Sequence, residues 1–525
     1  MRERVISAIK EVVSQEIEID VSVPEQETFG HYSTNVAFKL AKTQKTSPLS
    51  VAETLLKSLS QNPLFSRVEV KTPGFINFWI QEGEYYKELK TIIDKKNEYG
   101  KKVVAGPKKK MQVEYISANP TGPLTLANGR GGFLGDALSN VLESQGFEVE
   151  REYYVNDTGN QVLTLGKSLL ANCGLIPFED TFYKGEYVAE WAEANKEFIT
   201  KNAEKPEDIG RKAADYFLSL IQDALEKKSN IHFDRYTSEQ KDIHDKKYVE
   251  KVLNLFKGRG VVYENEGATW FKTTEFGDDK DRVLITSKGT PTYLLADAGH
   301  YLETKDRGFY GKILILGPDH YGYVSRIQAA AKIVGLDDSR VIITQAVRLL
   351  KSGEEMKMSK RKGAFVTFGE LVDEVGVDVA RFFFLMISPD SHMDFDIDLA
   401  RERSNKNPVF YFQYAFVRAS SILEKVKNSG SGDYSILSTR EDMNLLRKLC
   451  EFPDVLEDAS RTFAIHQLTQ YAGELSRAFH NFYEHEHIEG EEENTKNARR
   501  DLVVATQIVL GNLLDVLGVT RVSSM

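Results

Sequence analysis

The 525-residue sequence predicts a multidomain α/β chain, with an α+β unit ahead of a parallel-sheet unit and an all-α unit behind it. Three observations carry this. Period-2 segments (MQVEYI, EVEREYYV, KILILG, RVIITQAV) alternate with helical ones (RGGFLGDALSNVLESQG, SRIQAAAKIVG), the order that builds a parallel sheet with crossover helices. The first hundred or so residues mix a helical pattern with a strand pair. From about residue 380 every long segment has helical period, as in QLTQYAGELSRAFHNFYE, and no strand is expected there.

Taken in order, residues 1–105 hold helical periodicity at Val5, Ile6, Ile9, Val12 and Val13, and then strands around VEVKTPGFINFWI with a turn at Pro73-Gly74. KKVVAGPKKK reads as a linker. The second unit, 106–380, opens with the strand MQVEYI, which stops at the Pro/Gly loop SANPTGPLTLANG; a helix then runs to Gly146. Charged helical stretches over about 165–260 read as an insertion. The third unit is 381–525. No internal repeat is visible.

Composition narrows the function. The chain is 41% hydrophobic and 28% charged, which excludes collagen-like and disordered classes. A net charge of −10 argues mildly against a nucleic-acid partner, since phosphate binding needs local positive charge. Two cysteines, Cys173 and Cys450, far apart, make a disulfide framework or a Cys-based zinc site improbable and suit a reducing cytoplasm. The histidines lack ligand spacing, so no protein metal site is expected. No apolar run reaches the roughly 18–20 residues of a membrane span. The reading is a cytoplasmic protein without membrane contact.

The loop after MQVEYI is the most informative stretch. In open α/β sheets ligands sit beyond the carboxyl ends of strands, and the helix N-terminus that follows favours an anion. Gly129, Gly131, Gly132 and Gly135 nearly form a dinucleotide fingerprint, but they lie too far past the strand for its tight turn.

SANPTGPLTLANGRGG resembles the first nucleotide motif of class I aminoacyl-tRNA synthetases, and its flanks resemble the arginyl-tRNA synthetase family. Ordered matches extend along the chain. FGHYSTNVAFKLAK and GFINF resemble that family's N-terminal domain, and YYVNDTGNQ follows the first motif. GTPTYLLADAGHYL resembles its substrate helix, and MKMSKRKGAFVTF its second nucleotide motif. DFDIDLARERSNKNPVFYFQYAFVR and LLDVLGV resemble its anticodon-binding domain. The resemblance implies a Rossmann-like catalytic domain with a helical insertion, an α+β tRNA-binding domain before it and an all-α anticodon-binding domain after. It implies ATP with Mg²⁺ as substrate, L-arginine and tRNA(Arg) as partners, and a monomer.

Arginine needs carboxylates that accept a planar, permanently charged guanidinium. Glu114 and Asp297 fit this need and match the family's recognition positions. Tyr293, four residues before Asp297, shares its helix face and could pack on the guanidinium plane. The resemblance adds Ser117 and Asn119 to the arginine site. A solvated strand residue (Glu114) and a core aromatic (Tyr293) are the ordinary alternatives. For ATP the resemblance implies Pro123, Thr125, Ala127, Asn128, Gly129, His320, Met358, Ser359 and Lys360. Between Arg348 and Lys362 six basic residues face two acidic ones, a charge balance suited to leaving pyrophosphate, with Lys360 and Lys357 the catalytic candidates. A capping role for His320 is an open alternative. Asn156 and Asp157 are candidates for the pocket wall.

Tyr414 and Arg418, four apart on one helix, suit stacking on unstacked anticodon bases and match family positions. Phe416 stands where the family leads one to expect a histidine or similar residue. Asn35 matches a position in contact with the tRNA elbow, whereas Tyr32 is equally readable as core.

One departure stands out. Where the family's first motif has His-x-Gly-His, this chain has Thr125-Leu126-Ala127-Asn128. Losing a donor to a developing oxyanion costs about 3 kcal/mol. Either neighbouring groups and Lys360 carry the transition state, as the catalytic reading of Thr125 and Asn128 requires, or adenylation is weakened or lost and the chain is a tRNA-binding paralogue.

Overall fold

The computed structural model describes residues 1–13, 16–24, 26–336, 338–356, 366–427, 430 and 432–525.

The N-terminal unit opens with the amphipathic helix Arg2–Val12, whose Val5 and Ile9 are fully buried. Its four-stranded antiparallel sheet runs Val21–Ser22, Tyr32–Thr34, Phe75–Ile80, Phe65–Lys71 in spatial order. The hairpin expected around Pro73-Gly74 pairs Phe65 with Ile80 and Lys71 with Phe75. Gly74 has φ 148°, a conformation glycine supplies without a Cβ clash. Helices Val36–Gln44, Pro48–Leu59 and Glu82–Lys95 complete the unit.

The central sheet has five parallel strands in the order Arg340–Ile343, Gly311–Leu316, Lys110–Glu114, Glu148–Val155, Arg235–Ser238. Here the structure corrects the sequence reading. Arg235–Ser238 lies within the segment read as an insertion, yet it is the sheet's edge strand. The helices of that segment end earlier, covering Asn160–Asn172, Glu186–Ala194, Lys196–Lys201 and Pro206–Asp223 before the π-turn Ala224–Lys228. They have their own core around Leu165, Trp191 and Phe217. Close packing there needs glycine, because a Cβ at Gly166 would lie 1.7 Å from the Pro206 carbonyl oxygen. A small antiparallel sheet, Val262–Asn265, Ala268–Phe271 and Arg282–Ile285, follows.

RVIITQAV is two elements rather than one. Arg340–Ile343 ends the parallel sheet, and Val347–Lys351 starts a separate sheet that pairs in parallel with Met393–Asp396. That last strand lies beyond residue 380, where none was expected. Otherwise the C-terminal unit is helical, with long helices Pro408–Lys425, His466–His485 and Glu493–Leu517.

Both faces of the central sheet are covered. Met111, Val113, Tyr115, Tyr153, Val155, Ile313 and Ile315 pack in one apolar core with the helix Leu126–Ser144. The alternate positions (Gln112, Glu114, Glu150, Glu152 and Lys312) project to the opposite face, toward the helix Tyr293–Asp306. Period-2 alternation therefore encodes a buried apolar face and a buried polar one.

Buried ties join the units. The Tyr32 hydroxyl donates to Asp454 at 2.8 Å, so Tyr32 is a core residue bridging the first and last units. Asn512 donates to the carbonyls of Lys96 and Tyr99. Arg381, fully buried, pairs with Asp136 and donates to the carbonyls of Ser229 and Asn230 at 3.1 and 2.9 Å.

Candidate active site

The strand Lys110–Glu114 ends abruptly. Ile116 and Ser117 take positive φ values of 67° and 40°, a region non-glycine residues avoid and a β-branched residue avoids most. Such strain costs about 1–3 kcal/mol per residue and persists where surrounding structure enforces it. Here the Ser117 hydroxyl donates to Glu114 Oε1 at 3.0 Å and accepts from the Tyr154 amide at 3.0 Å. The kink turns the loop across the carboxyl edge of the sheet. Gly122 passes so close to Tyr187 of the helical insertion that a Cβ would sit 2.7 Å from its ring.

The helix begins at Leu126, earlier than the loop-like sequence implied. Thr125 caps it, and Asn128 Oδ1 accepts from the Thr125 amide at 2.9 Å and from its hydroxyl at 2.7 Å, a reciprocal capping box. With Oδ1 so engaged, Asn128 Nδ2 is the amide group left to face a ligand. Of the glycines that hinted at a dinucleotide site, Gly129 and Gly135 are packed tightly. A Cβ at Gly129 would lie 2.1 Å from Phe368, and one at Gly135 2.3 Å from Tyr115.

The second nucleotide motif has described flanks. The Phe368 amide donates to the Leu124 carbonyl at 2.9 Å, and the Met356 amide to that of Leu349 at 2.9 Å. The expected ATP-site residues Lys357, Met358, Ser359 and Lys360 lie outside the described residues. Arg348, counted in the basic run, is held by Asp394 through two bonds of 2.7 and 2.9 Å.

On the polar face, Asp297 of the helix Tyr293–Asp306 lies near enough to Glu114 to feel its charge. Asp297 accepts a hydrogen bond from the Tyr323 hydroxyl. Burial, aided by the charges of Glu114 and Glu239, pushes its carboxyl up to about 6, and the Tyr323 bond pulls the other way. Glu114 is buried, with Oε2 2.8 Å from Lys312 Nζ and Oε1 on Ser117, so it is not the solvated strand residue that its alternation also allowed. Tyr293 opens the helix and is 61% exposed, so it is not a core aromatic. Asn119 and Pro123 are half-buried in the loop, as is Ala127 in the first turn of the helix.

Other residues of this centre were not singled out in the sequence. Lys312 Nζ lies 3.0 Å from Glu152 Oε2 and 2.8 Å from Gln112 Oε1, and His300 Nε2 lies 3.0 Å from the same Glu152 oxygen. Burial opposes ionisation of Glu152, but the facing His300 and Lys312 hold its carboxyl well below the usual range. Burial likewise opposes the Lys312 ammonium, and Glu114 and Glu152 outweigh it, raising its pKa. Among the described residues, Glu114, Glu152 and His300 alone have ligand atoms grouped closely enough for a metal ion. The Lys312 ammonium lies within 3.2 Å of an atom from each of them, so the protein itself supplies the cation. Glu152 had a signal in the sequence, as Glu148, Glu150 and Glu152 recur every second residue, whereas Lys312 is the lone charge of its strand and His300 lies on a helix.

Elsewhere the expected residues scatter. His320 is exposed in the turn Pro318–Tyr323, and it is Tyr323 of that turn that reaches Asp297. Asp157 accepts from the Ser238 hydroxyl at 2.6 Å and the Gln240 amide at 3.0 Å, which ties it to the sheet edge; the buried Asn156 Oδ1 is unpartnered. Asn35 stands at the N-cap of Val36–Gln44, its buried Oδ1 likewise unpartnered. In the helical unit, Arg418 donates to the Tyr414 hydroxyl and stacks 4.1 Å from the centre of the Tyr483 ring. Phe416 is half-buried on the same helix.

Three family models match the chain. They are the arginyl tRNA synthetase N terminal domain over residues 1–80, the class I (R) tRNA synthetase catalytic domain over 88–383, and the DALR anticodon binding domain over 412–525. The arginine–tRNA ligase of Carboxydothermus hydrogenoformans is 40% identical, over 97% of this chain and 95% of that protein. That of Thermotoga maritima is 39% identical, over 100% and 99%. In fold the chain is similar to the arginyl-tRNA synthetases of Thermus thermophilus (TM-score 0.78, 21% identity) and Plasmodium falciparum (0.76, 15%). Each comparison covers all of this chain and 99% of the other. With a matching catalytic-domain model over more than half its length and relatives near 40% identity end to end, the chain belongs to the arginyl-tRNA synthetase family.

Proposed function

We propose that the chain activates L-arginine with ATP and transfers it to the 3′ end of tRNA(Arg). The arginine carboxylate attacks the α-phosphate, pyrophosphate leaves with the β- and γ-phosphates, and a ribose hydroxyl of the terminal adenosine then takes the arginyl group from the adenylate. No side chain need form a covalent bond, so the residues act by positioning and charge. Glu114 and Asp297 take the guanidinium, with Tyr293 over its plane and Ser117 and Asn119 toward its backbone end. The helix N-terminus at Thr125 and Asn128, with Pro123, Ala127, Gly129 and His320, receives ATP, whose Mg²⁺ arrives with the nucleotide. Lys357 and Lys360 stabilise the leaving pyrophosphate, with Met358 and Ser359 beside them. Asn35, Tyr414 and Arg418 contact tRNA. The domains divide at about 105 and 380, and the enzyme works as a monomer in the cytoplasm. No helix among the described residues is long and apolar enough to cross a membrane.

The observation that carries this reading is the pair of carboxylates on the polar face, buried Glu114 and the Tyr323-bonded Asp297, whose like charges a bound guanidinium would offset. Its test is arginine-dependent ATP–pyrophosphate exchange, with and without tRNA. Exchange in either condition supports it, and no exchange in both refutes it.

A further inference from the structure

We propose that Lys312 is a positioning residue for guanidinium recognition, fixing the orientation of Glu114 with a buried countercharge. This rests on the reading that Glu114 contacts arginine.

Lys312 enters from the neighbouring strand Gly311–Leu316 and is completely buried, far from where lysine ordinarily lies. Its ammonium has three donors, and three acceptors surround it: Glu114 Oε2 at 2.8 Å, Gln112 Oε1 at 2.8 Å and Glu152 Oε2 at 3.0 Å. Each acceptor is held in turn. Glu152 accepts from Thr237 and faces His300. Gln112 accepts from Thr304 at 2.9 Å and donates to Glu150 at 3.0 Å. Glu114 is pinned at one oxygen by Lys312 and at the other by Ser117, itself fixed by the Tyr154 amide. The carboxylate is thus held at both oxygens, each with acceptor capacity to spare.

Charge leads to the same role. Glu114 and Glu152 approach one point from two strands, and the buried ammonium between them offsets their like charge. It does so through one bond to each carboxylate, at 2.8 and 3.0 Å. Salt-bridging for stability alone would not require Glu114 to be one of the two partners, nor the chain of bonds to continue through Ser117 into the strained turn that opens the substrate loop.

Four variants of the full-length enzyme test this, each checked for folding by thermal melting and assayed by ATP–pyrophosphate exchange with tRNA present. Lys312→Met combined with Glu152→Gln keeps the buried centre balanced while freeing Glu114. We expect its arginine KM to rise roughly tenfold or more, with the ATP KM nearly unchanged. Lys312→Arg, which retains a cation and donors, should restore much of the arginine KM. Glu152→Gln alone leaves Lys312 to lean on Glu114, and should raise the arginine KM several-fold; it carries the test if the double variant does not fold. Glu114→Gln separates the two claims. If Glu114→Gln impairs arginine KM but folded Lys312 and Glu152 variants do not, or if they raise arginine and ATP KM alike, the positioning role is overturned. If Glu114→Gln leaves arginine KM unaltered, the underlying reading fails first.

Discussion

With Asp297 as the proposed partner of the guanidinium, arginine binding depends on pH in a calculable way. Burial and the charges of Glu114 and Glu239 raise the Asp297 pKa to about 6 from the usual 3.8, while the Tyr323 bond resists the rise. A shift of about two units corresponds to roughly 3 kcal/mol disfavouring the charged form in the folded state. The sign follows from linkage. A raised carboxyl stabilises the folded protein when protonated, and that contribution is lost as pH rises through about 6. A guanidinium, always cationic, pairs with the ionised form, so binding must first deprotonate Asp297 at acid pH. The competent fraction is about one-half at pH 6 and about one-tenth at pH 5, so the apparent Kd weakens roughly tenfold between pH 8 and 5. Isothermal titration of arginine over pH 5–8, in buffers of different ionisation enthalpy, reads both the affinity and the released proton. Tyr323→Phe removes the one bond that opposes the shift, and should move the midpoint upward. An affinity flat from pH 5 to 8 in folded protein, with no proton released, would refute the reasoning.

Three further outcomes follow from the same geometry. Asn128→Ala removes both the capping acceptor and the outward amide. It should cost about 1 kcal/mol of stability and slow pyrophosphate exchange by one to two orders of magnitude, with arginine Kd unchanged; thermal melts and exchange kinetics separate the two. Arg381→Met strands Asp136 and the carbonyls of Ser229 and Asn230, so urea denaturation should show a loss of about 3–5 kcal/mol. Arg418→Ala removes the guanidinium stacked on Tyr483 and bonded to Tyr414. It should raise the tRNA KM roughly tenfold without altering arginine Kd, as charging kinetics would show.

Legibility in the sequence varied with the kind of signal. EVEREYYV is a strand over all eight of its residues, Glu148–Val155, because alternation and flanking turns agree. The helix start at Leu126 was hidden, since Asn128 and Gly129 read as loop formers until the bonds between Thr125 and Asn128 are seen. Arg235–Ser238 and Met393–Asp396 are only four residues each, and pairing with partners distant in sequence makes them strands. Glu114 and Asp297 were singled out because a guanidinium demands carboxylates and the family resemblance supplied their places, and the structure puts both on the polar face of the sheet. Lys312 was not. A charge on alternate strand positions ordinarily faces water, and nothing local says that a helix carrying His300 and Thr304 will cover it. Net charge misled for a related reason. Acidic residues such as Glu114, Glu152 and Asp297 lie inward, so they add to the net charge without adding to the surface.

The central claim is tested most directly by charging. Purified protein, ATP and a tRNA(Arg) transcript are supplied with each of the twenty amino acids in turn, and acid-stable aminoacyl-tRNA is counted. The account predicts accumulation with arginine alone and its loss in Asp297→Ala; no charging with arginine, or charging with lysine to the same extent, would contradict it.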